Sequence, residues 1–364
     1  MTVFEDLHRI GQSVWYDNIS RELIASGAIA SLVAEGAIRG ITSNPSIFEK
    51  AITSGEAYDD GIRALLHMNP DLDTFTLYEA LAIQDIQAGA DALRPVYEQS
   101  QGEDGYISLE VSPRLAHDTE ATVTEARRLH VAVNRPNLMI KVPATDAGLP
   151  AVTRLIADGI AVNVTLIFSL EDWRRSFEAY LDGVEQRIAA GGDLGSVASV
   201  ASFFVSRLDN DLDRRTSEGS PLRGTVAVAY CRLIYSHYRQ LLAAPRMSAL
   251  RERGGRAQRL LWASTGTKNP AYSDLLYVEE LVGADTVNTM PPATLDALRD
   301  HGRAASRIDL GLAEAEALLA TLPASGIDLD GTTRKLKDQG VEAFMTSLDG
   351  LLLALDSRRQ IAAG

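Results

Sequence analysis

The chain has 364 residues, of which 46% are hydrophobic and 23% are charged, and no long polar tract interrupts it. This composition is typical of a globular chain with one large domain or two ordinary ones, and it excludes disordered and fibrous proteins. The formal net charge of −14 argues against nucleic acid as a partner, but a locally basic pocket can still bind a small anionic substrate.

Short apolar segments alternate with longer amphipathic ones along the chain, the pattern of β/α units around a parallel sheet. In chain order the predicted strands are 14–17, 38–43, 106–111, 138–142, 160–167, 197–205, 259–263 and 286–288. Eight strands predict a (β/α)8 TIM barrel with additional N- and C-terminal helices, and a doubly wound open sheet is the alternative. No linker divides the sequence, so we expect a single domain over residues 1–364. Its barrel core would span about 12–300, and C-terminal helices at 301–364 would pack on or over the barrel.

Polar side chains recur on one face of several predicted strands, close to the point where each strand gives way to a proline or a helix. The polar residues are Asp17, Thr42, Asn44, Ser108, Glu110, Asn163, Thr165 and Ser202. An aromatic residue, Phe204, lies on the same strand face as Ser202. Each alone has a structural explanation as a turn former or a helix cap. Buried parallel strands are usually apolar throughout, so the recurrence predicts an active site at the carboxyl end of a barrel.

Lys141 is the most specific residue of this set. It follows the apolar run Leu138-Met-Ile and precedes Val142 and Pro143, with no acidic residue in the four positions before it. In one interpretation, the aliphatic part of the lysine side chain packs along the end of the strand while its ammonium group reaches water. In the other, a desolvated amine attacks a carbonyl carbon and forms a Schiff base, which serves as an electron sink without a metal.

Only five lysines are present, and the other four are weaker candidates. Lys50, Lys335 and Lys337 lie on predicted helices, where we expect them to be solvated. Lys268 follows a predicted strand and a glycine-containing loop, so it could meet an anion. Its surroundings are not a P-loop, because the upstream glycine of that motif is missing.

The remaining signals are negative. The chain has a single cysteine, Cys231, so it cannot form an internal disulfide, which indicates a reducing compartment. Cys231 lies in a helix-like stretch, and we interpret it as a buried structural thiol. No two of the six histidines have metal-ligand spacing, so no metal or cofactor is expected. Acidic residues near the start do not fit a signal peptide, and the longest apolar runs, such as 159–170, are too short for a membrane span. We expect a cytoplasmic protein.

Four segments together resemble transaldolase, the Schiff-base enzyme of the non-oxidative pentose phosphate pathway. They are Gly40-Ile-Thr-Ser-Asn-Pro-Ser-Ile, Ile140-Lys-Val-Pro-Ala-Thr, Asn163-Val-Thr-Leu-Ile-Phe-Ser and Ser202-Phe-Phe-Val-Ser-Arg. The matches cover most of the chain in order, and the length resembles the longer bacterial subgroup. The resemblance implies a (β/α)8 barrel that moves a dihydroxyacetone unit from sedoheptulose 7-phosphate to glyceraldehyde 3-phosphate, giving erythrose 4-phosphate and fructose 6-phosphate.

The resemblance also implies a role for each matching residue. Lys141 would be the Schiff-base lysine and Asp17 the acid/base, while Glu110 and Thr165 would hold a catalytic water. The substrate-binding residues would be Asn44 and Asn163 on the dihydroxyacetone hydroxyls, Thr42, Ser202 and Phe204 along the pocket, and Arg207 and Ser264 at the phosphate.

One position departs from the family pattern. Many transaldolases have an arginine two residues after the serine that Ser264 matches, whereas this chain has Gly266 there and Lys268 two positions later. We predict that Lys268 replaces that arginine as a point charge for phosphate.

Two alternatives stay open at this stage: a fructose-6-phosphate aldolase-like lyase that shares the Schiff base, and a catalytically silent sugar-phosphate-binding barrel. The chain is expected to act as a monomer or homodimer on sugar phosphates. No role is predicted for the arginine-rich segment 251–259.

Overall fold

A computed structural model of the chain describes residues 2–363. All strands within this range pair in parallel, in the spatial order β1-β7-β6-β5-β4-β3-β2. They are β1 (Gln12–Tyr16), β2 (Ile107–Glu110), β3 (Leu138–Pro143), β4 (Val162–Ile167), β5 (Ser199–Phe204), β6 (Arg259–Ala263) and β7 (Thr286–Met290). Seven of the eight predicted strands are therefore present, with ends that shift by a few residues.

The segment around Ile41 closes the gap between β1 and β2. Ile41 bridges in parallel to Tyr16 on one side and to Ile107 on the other. The backbone N–H of Tyr16 donates to Gly40 O at 2.8 Å, and that of Ile41 donates to Tyr106 O at 2.9 Å. The sheet thus curls into a closed (β/α)8-type barrel, which confirms the predicted fold class and excludes the open doubly wound sheet.

The prediction of a full strand at 38–43 is wrong, because Ile41 pairs there only as an isolated bridge residue. The chain turns just before it at Gly36, which has a φ of +74°, a value that favours glycine. Just after it, Asn44 Oδ1 accepts from the backbone N–H of Ile47 and caps a helix that begins at Pro45. Between this turn and this cap the extended segment is too short for a regular strand.

The helices surround the barrel. They are α1 (Val3–Ile10), α2 (Arg21–Ala25), α3 (Ala28–Ala34), α4 (Pro45–Thr53), α5 (Asp59–Met68), α6 (Thr74–Gln99), α7 (Thr119–Val133), α8 (Gly148–Ala157), α9 (Leu170–Ala189), α10 (Ser206–Asp213), α11 (Val226–Leu242), α12 (Pro245–Glu252), α13 (Leu276–Glu279), α14 (Pro292–His301), α15 (Leu312–Ala320) and α16 (Leu329–Ala363), with 3₁₀ turns at Pro113–Leu115 and Pro323–Ser325. No helix within residues 2–363 is both long and apolar enough to cross a membrane.

Helix α7 shows how local sequence sets one β/α unit. Asp118 caps its start by accepting from the backbone N–H of Ala121 at 3.0 Å, and Asn134 ends it in the left-handed conformation with a φ of 48°. Its buried residues recur at helical spacing and face the barrel: Thr122, Val123, Ala126, Leu129 and Val133. The unit therefore brings β3 back parallel to β2, with Lys141 directly opposite Glu110 in the register.

The last helix, α16, departs from the β/α pattern. It packs against α4, α5, α6 and α10 and reaches β4, so it lies across the end of the barrel where the strands finish. Apolar residues recur along α16 at helical spacing, the pattern of a core-facing stripe, and two of them, Phe344 and Leu348, are buried on its inner face. Helix α16 thereby places the ring of Phe344 over Lys141.

Candidate active site

A cavity of about 140 Å³ opens at the carboxyl ends of the strands. Nine of the twelve predicted site residues line it directly: Asp17, Thr42, Asn44, Lys141, Thr165, Ser202, Phe204, Arg207 and Ser264. Glu110 and Asn163 lie immediately behind that lining, in contact with Lys141 and Ser202 respectively. The twelfth residue, Lys268, is outside this cavity.

Lys141 lies at the centre of the group. It is only 4% exposed, because β3 carries it into the barrel interior between β2 and β4. Its Nζ donates to the backbone oxygen of Ser43 at 3.1 Å and lies 3.3 Å from Oε2 of Glu110. The ring of Phe344 covers the amine with its centroid 5.6 Å from Nζ. The amine is therefore held in place and shielded from bulk water.

Two carboxyl groups flank Lys141 inside the barrel. Burial raises the pKa of the Asp17 carboxyl, and the charge of Lys141 and a hydrogen bond from Thr42 oppose that shift. Burial likewise raises the pKa of Glu110, against the opposing charge of Lys141. A carboxylate with a raised pKa is a stronger proton acceptor, so both groups are suited to acid–base work.

Hydrogen bonds between neighbouring strand ends fix the side chains around these carboxyls. The hydroxyl of Thr42 donates to Asp17 Oδ1 at 2.6 Å and lies 2.7 Å from the hydroxyl of Thr289. Asn163 accepts from Ser202 Oγ at 2.7 Å and donates to Ser108 Oγ at 3.0 Å. Both networks pre-set the orientation of polar groups before any ligand enters.

Two predicted binding residues retain free hydrogen-bonding capacity. The buried hydroxyl of Thr165 has no hydrogen-bond partner among residues 2–363, an arrangement that a ligand or water would satisfy. Asn44 uses Oδ1 to cap α4, with the Ile47 N–H at 3.0 Å, which leaves its amide N–H groups for the cavity that it lines. The structural and binding interpretations of Asn44 are therefore compatible.

A cationic group stands at one edge of the cavity. Arg207, in the first turn of α10, stacks against Phe204 with its guanidinium carbon 5.0 Å from the ring centroid. No carboxylate within residues 2–363 forms an ion pair with it. Ser264 has a φ of +55°, an uncommon value for serine, and its hydroxyl lies 3.0 Å from that of Ser206. This edge can receive an anion.

Lys268 is exposed and lines an adjoining, wider cavity of about 700 Å³ that shares Arg207 with the first. Arg214 and Arg223 also line this wider cavity. Lys268 therefore lies in the cavity that adjoins the site at Arg207, and it is not among the buried residues. Its replacement of the family's arginine stays a prediction.

Several residues at the site are missing from the sequence-based selection. Phe344 is read from the sequence as core, and Thr289 and Ser43 give no signal because their roles depend on contacts with distant strands. The prediction that Lys337 is solvated is wrong: its side chain is 16% exposed, and Nζ lies 2.8 Å from Asp172 Oδ1 at the start of α9. That ion pair fastens α16 over the barrel.

A family model and several known proteins match nearly the whole chain. The family model described as Transaldolase/Fructose-6-phosphate aldolase matches residues 14–355. A protein of Thiobacillus denitrificans named transaldolase is 47% identical over 97% of this chain and 99% of its own length. Streptomyces coelicolor transaldolase 1 is 49% identical over 95% of this chain and 92% of its own, and Nostoc transaldolase 2 is 44% identical over 97% and 96%.

Proposed function

The chain belongs to the transaldolase/fructose-6-phosphate aldolase family and has transaldolase activity, and we propose that Lys141 carries this activity as a Schiff base. The substrates would be sedoheptulose 7-phosphate and glyceraldehyde 3-phosphate, giving erythrose 4-phosphate and fructose 6-phosphate. The observation that carries the proposal is a buried amine 3.3 Å from Glu110, in one cavity with Asp17. We also propose that the enzyme works in the cytoplasm, as a monomer or homodimer.

The first steps would form the imine. The ammonium group of Lys141 first gives a proton to Glu110, whose raised pKa favours its uptake, and the neutral Nζ then attacks the ketose carbonyl carbon. A proton passes from the attacking nitrogen to the former carbonyl oxygen and gives the carbinolamine. The carbinolamine hydroxyl takes the proton held by Glu110 and leaves as water, so that an iminium and the Glu110 carboxylate remain. Thr165, with its unpaired hydroxyl, would hold the water that leaves here and re-enters at hydrolysis.

The next steps would break and remake a carbon–carbon bond. Asp17 takes the proton from the hydroxyl on the far side of the scissile bond, and the bonding electrons move into the iminium to give an enamine. The aldose phosphate leaves with a new carbonyl. An acceptor aldehyde then takes its place, the enamine attacks it, Asp17 returns the proton, and water hydrolyses the new iminium.

The remaining residues would bind and orient the substrate. Asn44 and Asn163 would hold the hydroxyls of the dihydroxyacetone unit, and Thr42, Ser202 and Phe204 would shape the pocket around it. Arg207 and Ser264 would bind the phosphate, with Lys268 at the outer edge. Holding the enamine in this orientation away from water would favour transfer to an aldehyde over protonation.

A borohydride trap tests the proposal directly. Sodium borohydride added with fructose 6-phosphate should reduce the iminium to a stable secondary amine, and peptide mass mapping should place the added mass on Lys141. Lys141→Met should give no adduct, while Lys335→Met, a lysine replacement on α16 outside the cavity, should give a normal one. An adduct on another lysine, or none with active enzyme, would contradict the proposal, whereas no adduct together with no activity would favour the silent-barrel alternative.

The aldolase alternative shares the imine but releases free dihydroxyacetone. Product analysis with fructose 6-phosphate as donor separates the two activities. We expect little dihydroxyacetone without an acceptor and sedoheptulose 7-phosphate once erythrose 4-phosphate is added. Rapid acceptor-independent release of dihydroxyacetone would instead assign the aldolase reaction.

Lys268 has its own test. Lys268→Ala should raise the Michaelis constant for a phosphorylated ketose by about three- to tenfold with little effect on kcat, because an exposed cation adds a modest attraction to phosphate. Lys50→Ala, an exposed lysine on α4 that does not line either cavity, is the matched control. An unchanged Michaelis constant in Lys268→Ala would show that the lysine does not replace the family's arginine.

A further inference from the structure

A second large cavity lies at the end of the barrel opposite to Lys141, and we call it the lower cavity. Ser13, Met139 and Val200 line it, and each is the second residue of its strand, in β1, β3 and β5. Because the strands are parallel, these residues mark the amino ends of the barrel. The volume is about 540 Å³, within the range of small-molecule sites.

Arginines dominate the charge of the lower cavity. Four of them line it: Arg39, Arg251, Arg256 and Arg259. Three of the four come from the arginine-rich segment 251–259, to which the sequence assigned no role. The carboxylates along the same wall are Glu103, Asp104 and Asp285.

These carboxylates balance only part of the charge. Asp104 is 3% exposed; its Oδ2 lies 3.0 Å from Arg39 Nε, and its Oδ1 lies 3.7 Å from a guanidinium nitrogen of Arg259. One carboxylate is therefore shared between two arginines. Asp285 forms an ion pair with Arg239, which does not line the cavity.

The other two arginines have no such partner. Neither Arg251 nor Arg256 forms an ion pair with a carboxylate among residues 2–363. Arg251 donates to the backbone oxygen of Leu242 at 2.9 Å. Arg256 donates from Nη1 to those of Gly102 and Gly195, both at 3.1 Å, and from Nη2 to that of Gln101, so that its Nε–H and one Nη2 N–H stay available to a ligand. Carbonyl oxygens hold the guanidinium groups in position, but they do not neutralise their charge.

His8 lies on the same wall. Burial lowers its pKa, the charges of Arg39 and Arg259 lower it further, and those of Asp104 and Glu103 oppose that shift. In a chain with a net charge of −14, a cavity with unpaired guanidinium groups fits an anionic ligand.

We propose that the lower cavity binds a small metabolite that carries a phosphate monoester. Guanidinium groups recognise phosphate through pairs of N–H donors, and Arg251 and Arg256 would supply them. Ala198, Leu242 and Ala257, which line the cavity and keep some exposed surface, offer carbon atoms to the rest of the molecule. The cavity volume of about 540 Å³ exceeds that of a free phosphate ion, so the organic part of a phosphate ester can fill the remaining space.

Calorimetric titration in phosphate-free buffer tests the proposal with two probes, inorganic phosphate and glycerol 3-phosphate. The unmodified chain should bind two equivalents of each, one at each end of the barrel. Arg256→Gln should weaken binding of one equivalent by about tenfold or more, since a charge-assisted contact is lost. Arg251→Gln should act in the same direction and covers the case in which Arg256→Gln fails to fold. Glycerol 3-phosphate should bind the lower cavity more tightly than inorganic phosphate.

Arg253→Gln is the matched control, since Arg253 lies in the same segment, is exposed and does not line the cavity. All three variants should keep the Michaelis constant for fructose 6-phosphate within about twofold, so failure here is distinct from failure of the catalytic assignment. If the titrations of Arg251→Gln and Arg256→Gln match that of Arg253→Gln, the proposal is overturned. Equal or weaker binding of glycerol 3-phosphate would overturn the choice of an ester.

Discussion

The two ends of the barrel treat buried carboxylates in opposite ways. At the carboxyl end, Asp17 and Glu110 face one amine, and burial raises the pKa of both groups. At the amino end, Asp104 accepts from a hydroxyl, an indole N–H and the guanidinium of Arg39. The first arrangement keeps proton acceptors poorly solvated and reactive, whereas the second satisfies a charge with several donors. We infer that reactivity was placed at one end of the barrel and stability at the other.

Among the substitutions considered, Asp17→Asn should reduce activity most, because it removes the proposed base at the carboxyl end of the barrel. We expect kcat to fall by about 10³-fold, because an amide cannot accept the proton released in bond cleavage. The unfolding free energy at pH 7 should not fall, since the substitution removes a carboxylate whose ionised form is disfavoured by burial. Steady-state kinetics and urea unfolding measure the two quantities. A variant that keeps near-normal kcat would exclude Asp17 as the base.

Asp209 lies in α10, which follows the carboxyl end of β5. It should make the unfolding free energy depend measurably on pH. Burial raises its pKa to about 7, while Ala227 N–H and Tyr277 O–H donate to its two oxygens at 2.8 and 2.9 Å. A pKa raised in the folded state means that this stabilisation is complete below the unfolded pKa and is lost as pH rises through about 7. The unfolding free energy should therefore fall by about 4 kcal/mol between pH 4 and pH 8 because of this group.

Asp209→Asn should flatten that slope, because an amide does not titrate. Urea unfolding at several pH values, with Asp213→Asn as a second buried carboxylate on α10, gives the comparison. Equal slopes in the unmodified chain and in Asp209→Asn would contradict this assignment.

Asp104→Asn tests the stable end. It removes a carboxylate from Arg39 and Arg259, and we expect a loss of about 2 to 3 kcal/mol in unfolding free energy, as for other broken buried pairs. The kcat at 25 °C should stay within about twofold, because Asp104 lies at the opposite end of the barrel from Lys141. A selective loss of kcat without loss of stability would remove the distinction between the two ends.

Lys337→Met should give the smallest effect. It breaks the largely buried ion pair with Asp172 that fastens α16 over the active site, so we expect about a two- to fivefold rise in the Michaelis constant, with a smaller loss of stability than in Asp104→Asn. Lys335→Met, which breaks the more exposed pair with Asp211, is the control and should change less. Identical kinetics in both variants would show that the Lys337 pair does not help to hold the cover of the site.

The sequence alone was sufficient where a property depends on neighbouring residues. Alternation of apolar and polar positions predicts most strands and the face that Lys141, Asn163 and Thr165 share, because side chains alternate across a strand. The end of β3 coincides with a proline, Pro143, that the sequence marks as a boundary. The motif resemblance added the identity of the family and its residue roles.

The tertiary structure decided what depends on contacts between distant segments. The sequence predicts a full strand at 38–43, whereas only Ile41 pairs there, as the bridge residue that closes the barrel. Phe344 covers Lys141 although its helical spacing indicates only core packing. The lower cavity likewise brings Arg39 and the 251–259 segment to one wall. Sequence periodicity tells which face of an element is buried, but not which other element it meets. In a parallel barrel those partners are separated by whole β/α units, so only the closed fold shows them.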